Sequence, residues 1–151
     1  MVMVPAKAIA AAAAVSALMI SGCTTPAMTT FEPSDDLILT MTESNNDVGF
    51  DAAWWGTFVA KNGCVALQLD DSGFAIPIVP ATAELVKDAD GTYGIRRDGV
   101  TYEFGKPVMG CGGYFTAKDF PDLPEVARCV EAVGIPAEDS VVVISDITID
   151  E

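Results

Sequence analysis

Trp54-Trp55-Gly56-Thr57-Phe58-Val59-Ala60-Lys61-Asn62-Gly63-Cys64-Val65-Ala66-Leu67-Gln68-Leu69-Asp70 reads as a β-hairpin, and the rest of the domain is organised around it. Trp54, Gly56, Phe58 and Ala60 alternate with Trp55, Thr57, Val59 and Lys61, so successive side chains fall on opposite faces of a strand. The two adjacent tryptophans therefore cannot both enter the core on one sheet face. Asn62-Gly63 is a two-residue turn of the kind that needs positive φ at both positions. In the returning strand, residues 64–70, Val65, Leu67 and Leu69 are predicted to be buried, while Cys64, Gln68 and Asp70 point the other way.

Short strands and tight turns continue downstream. Asp71, Ser72 and Gly73 turn the chain into residues 74–79, with Phe74, Ile76 and Ile78 on one face. Pro77 and Pro80 lack amide donors, which predicts an edge or a bulge for this strand. Residues 83–86 and 92–97 follow, separated by Asp88-Ala89-Asp90-Gly91. After the Asp98-Gly99 turn, Tyr102 stands mid-strand between Val100 and Phe104, with Thr101 and Glu103 outward. Gly110, Cys111, Gly112, Gly113 and Tyr114 interrupt the pattern. Glycines at such a place let the backbone bend sharply, the commoner reason, or let another segment approach closely. Asp122 is the predicted cap of a helix that has Pro124 and Glu125 near its start. Its apolar stripe is Leu123, Val126, Ala127, Val130 and Val133, and Gly134 with Pro136 ends it. The β-branched residues 141–147 form a closing strand. The expected fold is mainly β, with α+β as the alternative: a small curled antiparallel sheet or partly open barrel, with one C-terminal helix packed on it.

Upstream of the hairpin the chain has a different character. One cation, Lys7, precedes a small and apolar run over residues 8–20, then Ser21, Gly22 and Cys23. That order is a secretory signal, and the run is short of the roughly 20 residues a spanning helix needs. Ile20-Ser21-Gly22-Cys23 resembles the lipobox of bacterial lipoproteins. The resemblance implies a diacylglycerol thioether on Cys23 and cleavage before it, so that Cys23 becomes the N-terminus. It also implies anchoring to the outer face of the cytoplasmic membrane, or to the outer membrane in a diderm cell. Two or three acyl chains hold durably where one is marginal. The expected organisation is a signal peptide over 1–22, a lipidated N-terminus and tether over 23–50, and one β-rich domain over 51–151. A tether of about 26 residues has a mean span of about 30 Å. Within it, Leu37-Ile38-Leu39-Thr40-Met41 either belongs to the tether or pairs as a first edge strand.

Charge and residue types narrow the function. The 151-residue chain has 8 basic and 22 acidic side chains and a formal net charge of −14. Such a surface repels nucleic acid and anionic lipid headgroups. With 0 histidines the chain has no Ser-His or Cys-His pair and no imidazole metal ligand. Ser-x-x-Lys, Gly-x-Ser-x-Gly and phosphate-cradling glycine loops are also missing. No cofactor or metal is expected. Asp88-Ala89-Asp90-Gly91 has the opening of a calcium loop without its acidic end, and a hairpin turn is the better reading. The same holds for Asp70-Asp71 beside Ser72-Gly73.

With Cys23 lipidated, Cys64, Cys111 and Cys129 allow one disulfide and one leftover thiol. Cys64 faces away from the buried strand positions and Cys129 flanks the helix stripe. A helix laid across that sheet face brings them together, so Cys64 with Cys129 is favoured and Cys111 with Cys129 is the alternative. Trp55, Tyr93 and Tyr114 are the candidates for ligand contact, since exposed strand aromatics stack on sugars or anchor protein partners. Packing in the core or at its rim is the commoner fate of such residues.

Gly63-Cys64, Pro77 with Pro80, the glycines from Gly110 to Gly113, and Cys129 together resemble small exported lipoprotein domains of unknown function over about a hundred residues. Cys111 inside the glycine cluster departs from that pattern. The resemblance implies a fold and exposure outside the cell, and no activity. The expected function is a non-catalytic, membrane-anchored binding or structural module of the envelope, with an envelope protein or polymer as its partner. The alternatives are a carboxylate-dependent hydrolase or lyase of envelope polymers, and an inhibitor or assembly subunit.

Overall fold

The computed structural model describes residues 29–42, 52–70, 73–136, 138 and 140–150. Among them the strands run β1 (Glu32–Pro33), β2 (Thr40–Thr42), β3 (Ala52–Lys61), β4 (Cys64–Leu69), β5 (Gly73–Pro80), β6 (Glu84–Lys87), β7 (Tyr93–Arg97), β8 (Val100–Glu103), β9 (Pro107–Phe115) and β10 (Val141–Ile149). A 3-10 turn, Ala117–Asp119, and helix α1 (Pro124–Val133) lie between β9 and β10. The fold is therefore mainly β with one helix near its C-terminal end, as expected.

The hairpin forms as the sequence requires. Asn62 and Gly63 have φ of 51° and 82°, and β3 pairs antiparallel with β4 from Gly56↔Leu69 to Lys61↔Cys64. Asp98 and Gly99 repeat the same turn between β7 and β8 at φ 52° and 79°. Six strands lie in the order β10-β9-β3-β4-β5-β2, and β10 also pairs with β5, which closes the sheet into a barrel. The closing pair is parallel, Val141↔Ile76 to Val143↔Ile78, as is the pairing of β2 with β5. A smaller sheet, β1-β6-β7-β8, contributes Leu85, Ile95 and Tyr102 to the core that holds Trp54, Phe58, Val65, Leu67 and Leu69. Two tight turns and alternating apolar residues build the sheets locally. The closure joins segments more than sixty residues apart.

Four sequence expectations are corrected by this arrangement. First, β5 is not an edge strand. It pairs with β4 at Gly73–Ala75 positions and with β2 from Ile78 onward, while β10 runs along its other side. Pro77 falls between the end of one neighbour and the start of the next, where a missing amide donor disrupts no ladder on that side. Second, the glycine cluster does not break the sheet: β9 runs straight through it, paired with β3 and β10. A side chain at Gly112 would meet the Val143 carbonyl group, and one at Gly110 would meet Asp146 and the Trp54 ring. The rarer reason for glycine, close approach, is the one that applies.

Third, within the expected tether residues 37–41 take the strand alternative left open for them, and Glu32–Pro33, read as tether, pairs as well. Glu32 and Pro33 pair with Lys87 and Val86, Ile38 bridges to Cys64, and Thr40–Thr42 lies against β5. Leu37 and Leu39 pack on the main core and Ile38 packs on the opposite face, so the period-2 pattern of this short patch is used in full. Fourth, Asp122 does not cap α1. Leu123 is its N-cap without a side-chain bond, Pro124 opens it, and Gly134 closes it at φ 78°. Ala127 of the predicted stripe is exposed. Thr116 and Asp119 instead form a reciprocal capping box on the preceding 3-10 turn.

Two contacts clasp the smaller sheet to the barrel. The buried Tyr102 hydroxyl donates to the Ile147 carbonyl at 2.9 Å, and Arg97 Nη1 donates to the Ser145 carbonyl at 3.0 Å. Ser145 sits where the register of β10 shifts between Ile144 and Asp146. Burial pushes the Tyr102 phenol above its usual pKa, with the Asp146 charge adding to the effect. Tyr102→Phe is expected to cost about 1–1.5 kcal/mol, since it removes one buried hydrogen bond and leaves a carbonyl unpaired. Urea denaturation of the variant measures it.

Candidate functional site

Helix α1 lies on the outer face of the barrel and covers only part of it. Val126, Cys129 and Val133 are its buried residues. They pack in two clusters with outward residues of β4, β5 and β10: Cys64, Ala66 and Ile76 in one, Ile78 and Val141 in the other. Cys64 and Cys129 are joined in a disulfide, the favoured pairing of the sequence reading. Cys111 is a free, exposed thiol, so the alternative pairing with Cys129 does not occur.

Beyond the helix, the outward residues of β3, β9 and the second half of β10 form an uncovered face. Registry places Trp55 opposite Met109 and Met109 opposite Thr148. The next row is Ala53, Cys111 and Asp146. Trp55 is 47% exposed and Met109 36%, whereas neighbouring Trp54 is 1% exposed inside the barrel. Strand alternation thus divides the tryptophan pair between core and surface. Ser145 and Thr148 tie β10 to β9 along this face, their hydroxyls donating to the carbonyls of Cys111 at 3.0 Å and Met109 at 3.3 Å. An indole beside a thioether offers a polarisable apolar surface, and covering what remains exposed of each yields about 1 kcal/mol, a part of the value for full burial.

The three aromatics singled out in the sequence do not converge. Trp55 is on this face. Tyr114, 41% exposed, has the alternation of inward Gly110 and Gly112 and stands near the end of β9 opposite Val142. Tyr93 belongs to the smaller sheet, with its ring 5.7 Å from that of Phe104 and its hydroxyl donating to Asp36 at 3.2 Å. Met109 was hidden from sequence reading, because the glycine run beside it masks the strand that carries it.

Around Tyr93 lies a second, polar feature. Lys87 Nζ donates to Asp36 at 2.8 Å and stands 5.1 Å from the Tyr93 ring centre. Thr30, Glu32, Pro33, Ser34, Lys87, Asp88 and Ala89 line a shallow groove of about 400 Å³ beside it. The Lys87 ammonium, through its hydrogen bond and its charge, holds the Asp36 carboxyl below its ordinary pKa, and Asp36 raises that of Lys87. Because the Asp36 value is lowered on folding, its contribution is present above about pH 4 and is lost as the pH falls further. The Tm difference between wild type and Asp36→Asn should be small and flat between about pH 5 and 9, and should close below about pH 4. A thermal melt series measures this.

Asp88 is committed to its own turn. Its Oδ1 accepts from the amides of Asp90 at 2.9 Å and Thr92 at 2.8 Å, and Gly91 takes φ 88°. This is the turn reading of Asp88-Ala89-Asp90-Gly91. Asp71 and Ser72 lie outside the described residues, as does Cys23. Among the described residues no group of three or more His, Cys, Asp or Glu side chains is placed to hold a metal ion.

The fold and the exposed face together define a class, a disulfide-bridged β-barrel domain with a helix across part of its outer surface. In comparison with known proteins, no family model, no curated protein and no solved structure matches the chain.

Proposed function

We propose that this chain is an exported, lipid-anchored protein of the bacterial envelope, acting as a non-catalytic binding or structural module through its Trp55–Met109 face. The observation that carries the reading is that face itself: an exposed indole and thioether side by side, with Asp146 in the neighbouring row, on a chain of formal net charge −14. Apolar patches rimmed by polar residues on acidic, soluble domains mark contact surfaces for proteins or polymers. The anchor is supported by Ile20-Ser21-Gly22-Cys23 after an apolar run. A disulfide between Cys64 and Cys129 accords with an oxidising compartment.

Two variants test the two halves of the proposal. Cys23→Ala should move the protein from the membrane to the soluble fraction; unchanged membrane retention would refute the anchor. Trp55→Ala should shift stability by no more than about 0.5 kcal/mol, as for an ordinary surface site. A photo-crosslinker at position 109 should capture a discrete envelope component in cells carrying Trp55 and lose it in Trp55→Ala cells. Capture that is equal in both would remove the face from the function.

A further inference from the structure

Docking of residues 29–42 onto the domain changes how far the anchor reaches. Phe31 receives a hydrogen bond on its carbonyl from Arg96 Nη1 at 3.1 Å, and the Ser34 amide donates to Leu85 at 2.9 Å. With the β1–β6 pairing, these contacts fix the chain from its first described residues. Only residues 24–28 separate Cys23 from Thr29. Whatever their conformation, five intervening residues span at most about 20 Å. That is less than the mean span of the long tether expected from sequence.

We infer that the groove-bearing edge formed by β1, β6 and the Asp88–Gly91 turn is the membrane-proximal face of the domain, held against the headgroup layer of the anchoring membrane. The inference rests on the lipid-anchor reading of Cys23. The groove is lined by Thr30, Glu32 and Pro33 from the anchored segment and by Lys87 and Ala89 across from it, so it lies beside the point where the tether enters. Glu32, Asp35, Asp36, Asp88 and Asp90 stand on or near this edge, and its two neighbouring cations are already paired, Lys87 with Asp36 and Arg96 with Glu84. Such an edge suits a zwitterionic surface, whose ammonium groups lie outermost, and is repelled by an anionic one within a Debye length of about 8 Å.

The test uses the full-length lipoprotein, purified from membranes and reconstituted in phosphatidylcholine vesicles carrying a nitroxide on the headgroup. A fluorophore is attached at Ala89→Cys in a Cys111→Ser background. Quenching at position 89 should be at least about twofold, and should fall towards none when about twenty Gly/Ser residues are inserted after residue 28. Replacing a third of the lipid with phosphatidylglycerol at low salt should weaken it. Mass spectrometry of the same sample reports diacylglycerol on Cys23. Lipidated protein whose position 89 is unquenched, or whose quenching ignores the insertion, overturns the membrane-facing assignment and leaves the anchor intact. Protein without diacylglycerol overturns the anchor reading and this inference with it.

Discussion

Replacing Cys64 and Cys129 together by alanine is expected to lower stability by about 4 kcal/mol and Tm by roughly 15 °C. The bridge spans a sequence separation of 65 residues, a loop that contains β4 through β9 and the first part of α1. Releasing it returns that loop-closure entropy to the unfolded chain. It also loosens the packing of α1 on the barrel, since Cys64 and Cys129 sit at 1% and 0% exposure in the middle of the contact. A domain of this size has about 5–15 kcal/mol in all, so the variant should be marginal at physiological temperature. The comparison is made by thermal and urea unfolding in a Cys111→Ser background, which removes thiol exchange. Cys111→Ser itself should change stability by less than about 0.5 kcal/mol, because the thiol is exposed and unbridged. A double variant that melts with the wild type would show that the helix is held by packing alone.

Gly110→Ala should be nearly as damaging, at about 3 kcal/mol. A methyl group there would fall on the Asp146 carbonyl oxygen and come within 2.6 Å of the Trp54 ring. Neither neighbour can retreat cheaply. Asp146 is fixed in β10, where its register partner is Cys111, and the Trp54 indole is packed edge-on against Phe58 with centroids 6.2 Å apart. Among the described residues the indole nitrogen has no hydrogen-bond partner, so what Trp54 contributes at this contact is the area it buries against the glycine. Met109→Ala, one residue away on the exposed face, should cost less than about 0.5 kcal/mol. Loss of near-ultraviolet ellipticity from Trp54 in Gly110→Ala, with Met109→Ala unchanged, is the expected signature. Equal stability of the two variants would mean that the strands can separate to admit a side chain.

The two experiments test opposite kinds of legibility. The disulfide followed from local pattern, because strand period put Cys64 on the face opposite Val65, Leu67 and Leu69, and helical period put Cys129 beside the apolar stripe. Gly110 was legible as unusual and not as packed. A glycine run carries no side-chain alternation, so the period-2 signal that identified β3 and β4 vanishes within β9. The partner that explains the run, Asp146, lies 36 residues further on. Pro77 misled for a related reason: proline declares that one amide is missing, whereas only the neighbours decide whether an amide was needed there. Of the candidate contacts, Trp55 was readable from the adjacent Trp54 and their opposite parity. Met109 became visible only as the cross-strand partner of Trp55.

By itself the sequence determined the units set by neighbours along the chain: two hairpin turns, the inward and outward residues of β3 and β4, the limits of α1 to within a residue or so, and a preference for Cys64 over Cys111 as the partner of Cys129, which the structure settled. Only the tertiary structure decided that the sheet closes through parallel pairing of β5 with β10, and that residues 37–42 fill the gap where β4 and β5 diverge. It also decided that α1 leaves Trp55 and Met109 uncovered. Turns and alternation are fixed by φ, ψ and side-chain type over a few residues, so they are written locally. Closure and coverage depend on which distant surfaces meet, and no short stretch of the chain records that.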